Sequence, residues 1–391
     1  MNSFKNNDKQ YIANTYGRFD IEISHGKGSY IYDINGKEYI DLASGIAVNT
    51  FGIADDNWIC AVTEQLKKCQ HVSNLYYSEP CTEVAKTLCT RTGAKKVFFS
   101  NSGAEANECA IKTARLWGAE NKGEEYFNII TLQNSFHGRT ITTLSATGQD
   151  VFHKYFNPLT DGFLYAEANN IDSVKELVSA NNCCAIMMEL VQGEGGVLPL
   201  NKDFVDGVCQ IAKENNLLVI IDEVQTGNGR TGQLYAYQNY DITPDIVSTA
   251  KGLAGGLPIG ATMFFDKTEN TLKPSLHGST FGGNPIACAG AINVLNRIDD
   301  DLLSEVRAKS KYIFDELSGA EGIVSVSGLG LMIGIETQGD VSKILAKCME
   351  KGILPIKAKN KLRLLPALNI PFELLQKAVA IIKEVAKENK E

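Results

Sequence analysis

From about residue 95 to 265 the chain alternates short apolar runs (KVFFS, FNIITL, CCAIMMEL, LLVIID, DIVSTA, GATMFF) with stretches of helical periodicity, clearest at 104–118 and 203–216. Apolar runs of this kind read as strands covered on both faces. Their alternation with helices predicts an α/β fold, a mostly parallel sheet flanked by helices. Ligands of such sheets bind beyond the carboxyl ends of the strands, so the residues just after each run are site candidates. Before residue 50 the pattern changes: GSYIYDINGKEYIDLASG predicts a hairpin turning at Asn35-Gly36, flanked by Tyr30, Tyr32, Tyr39 and Ile40. After Pro285 a long helical pattern leads to strand-like IVSVSGLG, LMIGIE and KLRLLPAL. There Leu374, Leu375, Ala378, Val379, Ile382 and Val385 mark one face of a terminal helix. The expected organisation is a large domain at 51–285 and a small α+β domain built from both ends, 1–50 and 286–391.

Composition constrains partners more than fold. The 391 residues are 44% hydrophobic and 21% charged, as in an ordinary soluble chain, and the net charge of -8 opposes general attraction to nucleic acid or an anionic membrane. The ten cysteines are scattered without a C-x-x-C, which suits reduced core thiols. The first residues lack a signal-peptide pattern and no stretch approaches a membrane span, so a cytoplasmic protein is expected. The five histidines form no H-x-x-x-H or H-E-x-x-H pair, and no metal site is predicted.

Lys251, in DIVSTAKGLAGG, stands directly after an apolar run among small residues. It is either a solvated loop lysine or a Schiff-base lysine, whose amine must be partly desolvated to attack a carbonyl. Asp222 ends the LLVIID run, where a carboxylate needs a partner. A phosphate-loop lysine motif is absent, which removes a nucleotide-metal reading. An internal ion pair or helix cap remains, as does pairing with the protonated pyridine nitrogen of pyridoxal phosphate. Gly227, Gly229 and Gly232 spell G-x-G-x-x-G, but six residues past Ile221 rather than at the strand end, which weakens a nicotinamide-dependent oxidoreductase reading. Ser102, Gly103 and Ala104 open a helix and suit an anion, although taken alone they read more readily as an ordinary capped turn, and Ser279 and Thr280 in HGSTFGGNP suit a phosphate or a turn equally. Arg139 and Arg363 call for an acidic partner or anionic ligand, and Glu194 can compensate either.

The ordered stretches NTYGRFDI, LASGIAVN, HVSNLYY, NSGAEANE, FHGRT, VQGEGGV, IDEVQTGNGRTG, the Lys251 segment, HGSTFGGNP and LRLLPAL together resemble the class III pyridoxal-phosphate aminotransferases of fold type I, over nearly the whole chain. The resemblance implies that Lys251 holds pyridoxal 5'-phosphate and moves the proton. It also implies that Asp222 pairs with the ring nitrogen, that Glu223, Val224 and Gln225 bound the ring, and that Phe136 stacks on it. Gly103 and Ala104 would bind the phosphate. Thr280 would reach it from a second subunit with Ser279 beside the substrate, so the active unit would be a homodimer. Arg139 and Arg363 would bind substrate carboxylates, with Glu194 neutralising Arg363 when the other substrate is bound. The implied reaction moves the terminal amine of N2-acetylornithine to 2-oxoglutarate, giving glutamate, in arginine biosynthesis. Relatives acting on succinylornithine, ornithine, 4-aminobutyrate or succinyl-diaminopimelate share these residues. The chain departs from the family in FGIADDNW, where a G-H-x-H-P is usual, and in Leu190, where proline is common. Of the 35 glycines, 14 fall between residues 193 and 283, around Glu194, Asp222, Lys251 and Thr280.

Overall fold

A computed structural model describes residues 4–389. Its centre is a seven-stranded sheet in the order Lys96–Ser100, Gly260–Phe264, Ile246–Thr249, Leu218–Asp222, Cys183–Met188, Asn128–Leu132, Phe163–Ala166. Only Gly260–Phe264 runs against its neighbours; the other strands point the same way and end on one edge. The unbroken apolar runs follow from coverage on both faces. Successive residues feed two separate cores: Ile186, Met188, Val219 and Ile221 pack into one, and Ala185, Met187, Leu218 and Ile220 into the other. Helix Gly103–Asn121 closes the second face with Cys109, Ala110, Ile111, Ala114 and Trp117, while Phe204, Val205 and Val208 of helix Lys202–Glu214 join the first core. Each fully buried aliphatic side chain of this kind contributes about 1.5–3 kcal/mol.

Strand Phe163–Ala166 has no counterpart among the apolar runs. It is a four-residue edge strand with one buried position, so its sequence need not be apolar throughout. Helix Phe4–Tyr11 also went unread, and it buries no residue. The long helical pattern after Pro285 is two helices, Pro285–Arg297 and Asp300–Leu317, and the second begins where the Asp299 side chain accepts the Leu302 N–H.

The hairpin near Asn35-Gly36 joins Tyr30–Asp33 to Glu38–Asp41, and Ile353–Leu354 adds to it in parallel, so both chain ends share one sheet. A second four-stranded sheet, Ile323–Leu329, Met332–Thr337, Lys361–Leu364 and Ile356–Ala358, carries Arg363 opposite Gly334 and Ile356. The terminal helix Phe372–Glu388 buries Leu375, Ala378, Val379, Ile382 and Val385, the face its periodicity marks. All ten cysteines are unpaired; Cys60 lies at the surface rather than in a core. Among the described residues no helix is long and apolar enough to cross a membrane.

Candidate active site

The carboxyl edge of the central sheet opens into a cavity of about 400 Å³. Each parallel strand except the edge strand Phe163–Ala166 delivers residues to it. Asn101 to Ala104 follow Lys96–Ser100; Phe136 to Arg139 follow Asn128–Leu132; Glu189 follows Cys183–Met188; Asp222, Val224 and Gln225 end Leu218–Asp222; Lys251 follows Ile246–Thr249.

Asp222 lies buried on the floor and is held by three donors. Oδ2 accepts from Asn107 Nδ2 at 2.7 Å and stands 2.8 Å from His137 Nδ1, while Oδ1 accepts the Val224 N–H at 3.0 Å. An ionised carboxylate has roughly four acceptor positions, so this one keeps capacity for a further N–H donor. Asn107 is itself fixed by donating to the His137 carbonyl at 2.7 Å, which ties helix and loop around the acid.

Lys251 is half-buried and sits at φ 41°, a left-handed conformation that costs a non-glycine residue about 1–3 kcal/mol. Its amine makes no hydrogen bond or ion pair among the described residues. Desolvation lowers its pKa below 10.5, opposed by the charge of Glu194. Strain and an unpaired, desolvated amine together mark a group held for chemistry rather than for stability.

At the mouth of the helix Gly103–Asn121, the Ser102 side chain caps the Glu105 N–H, leaving the Gly103 and Ala104 N–H groups free beside the cavity. A Cβ on Gly103 would come within 2.6 Å of Val224, so only glycine lets the helix start sit this close to the Asp222 segment. Arg139 is exposed, with its guanidinium carbon 4.2 Å from the centre of the Phe152 ring and 5.4 Å from that of Phe136. Arg363, by contrast, is buried; its Nη1 donates to Glu194 Oε1 at 2.7 Å and to Gln225 Oε1 at 3.2 Å.

A model of the aminotransferase class-III family matches residues 11–386. The chain belongs to the class-III aminotransferases. It is 48% identical to an acetylornithine aminotransferase of Haemophilus ducreyi, covering 97% of this chain and 98% of the relative, and 44% identical to one of Clostridium acetobutylicum, covering 97% and 100%. Among solved structures it is similar to an ornithine aminotransferase of Toxoplasma gondii, with TM-score 0.94, 31% identity and coverage of 98% and 94%. It is also similar to an N-acetylornithine aminotransferase of Stenotrophomonas maltophilia, with TM-score 0.83, 32% identity and coverage of 97% of each.

Class-III aminotransferases are pyridoxal 5'-phosphate enzymes, and the cavity of this one fits the group. It offers an unpaired amine, a carboxylate with spare acceptor capacity, free helix N–H groups for an anion, and apolar side chains at Phe136 and Val224. The glycine-spaced segment 227–232 serves a different purpose from a dinucleotide site: Arg230 is buried and donates to the carbonyls of Leu331 and Pro366, fastening this loop to the C-terminal strands.

One sequence expectation needs correction. Glu223 does not line the cavity, because adjacent residues at a strand end point oppositely. Its carboxylate accepts from Thr226 Oγ1 at 2.5 Å and the Tyr237 N–H at 2.8 Å. Ser279 and Thr280 do not line the cavity of their own chain; the resemblance places them at that of a second subunit. Ser279 is half-buried, its Oγ accepting from the Gly282 N–H at 3.0 Å, and Thr280 is exposed. Among the lining residues absent from the sequence candidates are Asn107 and His137, which hold Asp222, and Glu189.

Burial pushes the Glu223 pKa up to about 7 from 4.5. A carboxyl whose folded pKa is raised contributes stability that is fully present below pH 4.5 and is lost as pH rises through about 7, here by about 3 kcal/mol. Glu223→Gln can keep both hydrogen bonds without a charge. Its urea-unfolding free energy should therefore fall less between pH 5 and 7 than that of the wild type; equal slopes would remove Glu223 as the cause.

Proposed function

We propose that this enzyme transfers the terminal amino group of N2-acetylornithine to 2-oxoglutarate, as a homodimer in the cytoplasm, in arginine biosynthesis. The observation that carries the reading is that Lys251 and Asp222 line one cavity together with Gln225, which Arg363 contacts while it also holds Glu194. The names borne by full-length relatives at 44–48% identity supply the substrate. In this reading residues 51–285 are the cofactor-binding domain, and 1–50 with 286–391 the small domain that contributes Arg363.

Bound here, pyridoxal phosphate supplies an electron sink and carries the amino group between the two substrates. Lys251 and the Gly103 and Ala104 N–H groups would hold it, with Asp222 keeping its ring nitrogen protonated and Phe136 and Val224 walling the ring. The Lys251 amine, free of partners and weakened as a base by desolvation, moves the proton at the substrate carbon. Glu194 occupies Arg363 while the monocarboxylate amine donor is bound and leaves it when the dicarboxylate acceptor arrives. Arg139, exposed and without an acidic partner among the described residues, takes the second carboxylate.

Glu194→Ala is expected to leave Arg363 open, so that 2-oxoglutarate binds more tightly while the amine donor loses about tenfold or more in kcat/KM. Equal losses for both substrates would remove the masking role. The homodimer is supported by the exposed Leu75, Tyr76, Tyr77 and Phe281 and by the place of Thr280 outside its own cavity. Sedimentation should give a dimer, and Thr280→Ala should weaken cofactor retention; a fully active monomer would overturn this part. The substrate is tested by comparing turnover of acetylornithine, ornithine, succinylornithine and 4-aminobutyrate. Equal or better use of ornithine would reject the acyl-specific assignment.

A further inference from the structure

Glu189 occupies the same place after Cys183–Met188 that Asp222 occupies on the neighbouring strand, yet the mechanism above gives it no task. It is 5% exposed and, among the described residues, has no cationic partner within ion-pair distance. Its carboxylate instead spans two loops: Oε1 accepts the Phe136 N–H at 2.9 Å, and Oε2 the Gly193 N–H at 3.3 Å.

The two loops touch elsewhere as well. Gln192 Nε2 donates to the Gln133 carbonyl at 2.8 Å, and a Cβ on Gly195 would approach the Asn134 carbonyl oxygen to 2.8 Å. Gly193 is wedged on its other side, where an added Cβ would meet the Gln225 amide at 2.7 Å. Moving Gly193 therefore moves both residues that contact Arg363: Glu194, next in the chain, and Gln225, which lies against it.

We infer that Glu189 is a positioning residue, a carboxylate clamp that uses one oxygen on each loop to hold the Phe136 segment against the Gly193 turn and so sets Glu194 and Gln225 on Arg363. This rests on the proposed roles of Arg363 and Glu194 in binding the dicarboxylate. A buried carboxylate suits the task because it presents only acceptors to two backbone donors. Glutamine of the same shape turns an NH2 donor toward one N–H and breaks that bond. Aspartate keeps the charge but is one methylene short of spanning both loops.

Two measurements test it. Hydrogen exchange on cofactor-free protein should show faster exchange of the Phe136 or Gly193 amide in Glu189→Gln and Glu189→Asp, with the Asn107 and Val224 regions unchanged. In the loaded enzyme both variants should raise the KM for 2-oxoglutarate about tenfold while kcat and the KM of the amine donor change less than about threefold. Wild-type exchange and wild-type KM in Glu189→Gln would overturn the clamp. So would full rescue by Glu189→Asp, which would make charge, not reach, the requirement, or an equal fall in kcat with both substrates. A wild-type enzyme that moves no amino group would sink the proposed function instead, and the exchange measurement would still decide whether Glu189 joins the loops.

Discussion

Lys251→Ala is expected to fold as the wild type does and to lose about four orders of magnitude in turnover, the upper range for removing a proton-transferring group. The two parts of this expectation have different origins. Folding survives because, among the described residues, the amine has no hydrogen bond or ion pair to lose, and its desolvation is a cost that alanine escapes. The strained φ of 41° persists with alanine, so that contribution cancels between the two proteins. Turnover collapses because no neighbouring group can take over: Asp222 is engaged by three donors, Glu194 by Arg363, and Glu189 by two backbone amides. A small primary amine added to Lys251→Ala should restore part of the rate, since the deleted side chain leaves room beside the same cavity. Urea unfolding together with steady-state turnover checks both parts. Activity within about a hundredfold of the wild type would place the proton carrier elsewhere.

The same contrast explains what the sequence revealed. Strands covered on both faces must be apolar at every position, so the central runs are legible, and a polar residue that ends such a run is conspicuous; Asp222 and Lys251 were found this way. The same rule applies to Glu189, which follows CCAIMM, but Leu190 continues the apolar run past it and hides the strand end. Glu223 shows the opposite failure. It is as conspicuous as Asp222 in sequence, yet the alternation of side chains at the strand end turns it toward Thr226 and Tyr237. Asn107 and His137 could not be read at all as partners of Asp222. They lie on a helix and a loop, 115 and 85 residues away, and only the order of strands in the sheet brings them together. Edge strand Phe163–Ala166 went unread for a related reason: few of its positions are buried, so packing leaves little mark on its composition.

Asp222→Asn tests that assembled network. Asparagine can still accept the Val224 N–H, but its NH2 then faces the Asn107 NH2 and the ring nitrogen of His137 at positions where Oδ2 accepted both. At least one buried donor is left without an acceptor, at about 1–3 kcal/mol. The cofactor-free variant should therefore unfold at lower urea than the wild type, whereas Lys251→Ala does not. Turnover should fall about 10²–10³-fold, the usual cost of removing one preorganised electrostatic partner from the reacting group. His137→Ala opens the same network from the other side, removing a donor to Oδ2 while leaving the carboxylate and the Asn107 bond in place, so its loss should be smaller. Because both changes act through one oxygen, the double variant should lose less than the product of the single losses. Independent, multiplicative losses would mean that His137 acts on the reaction by a route other than Asp222, and a full-rate Asp222→Asn would remove the acid from the chemistry altogether.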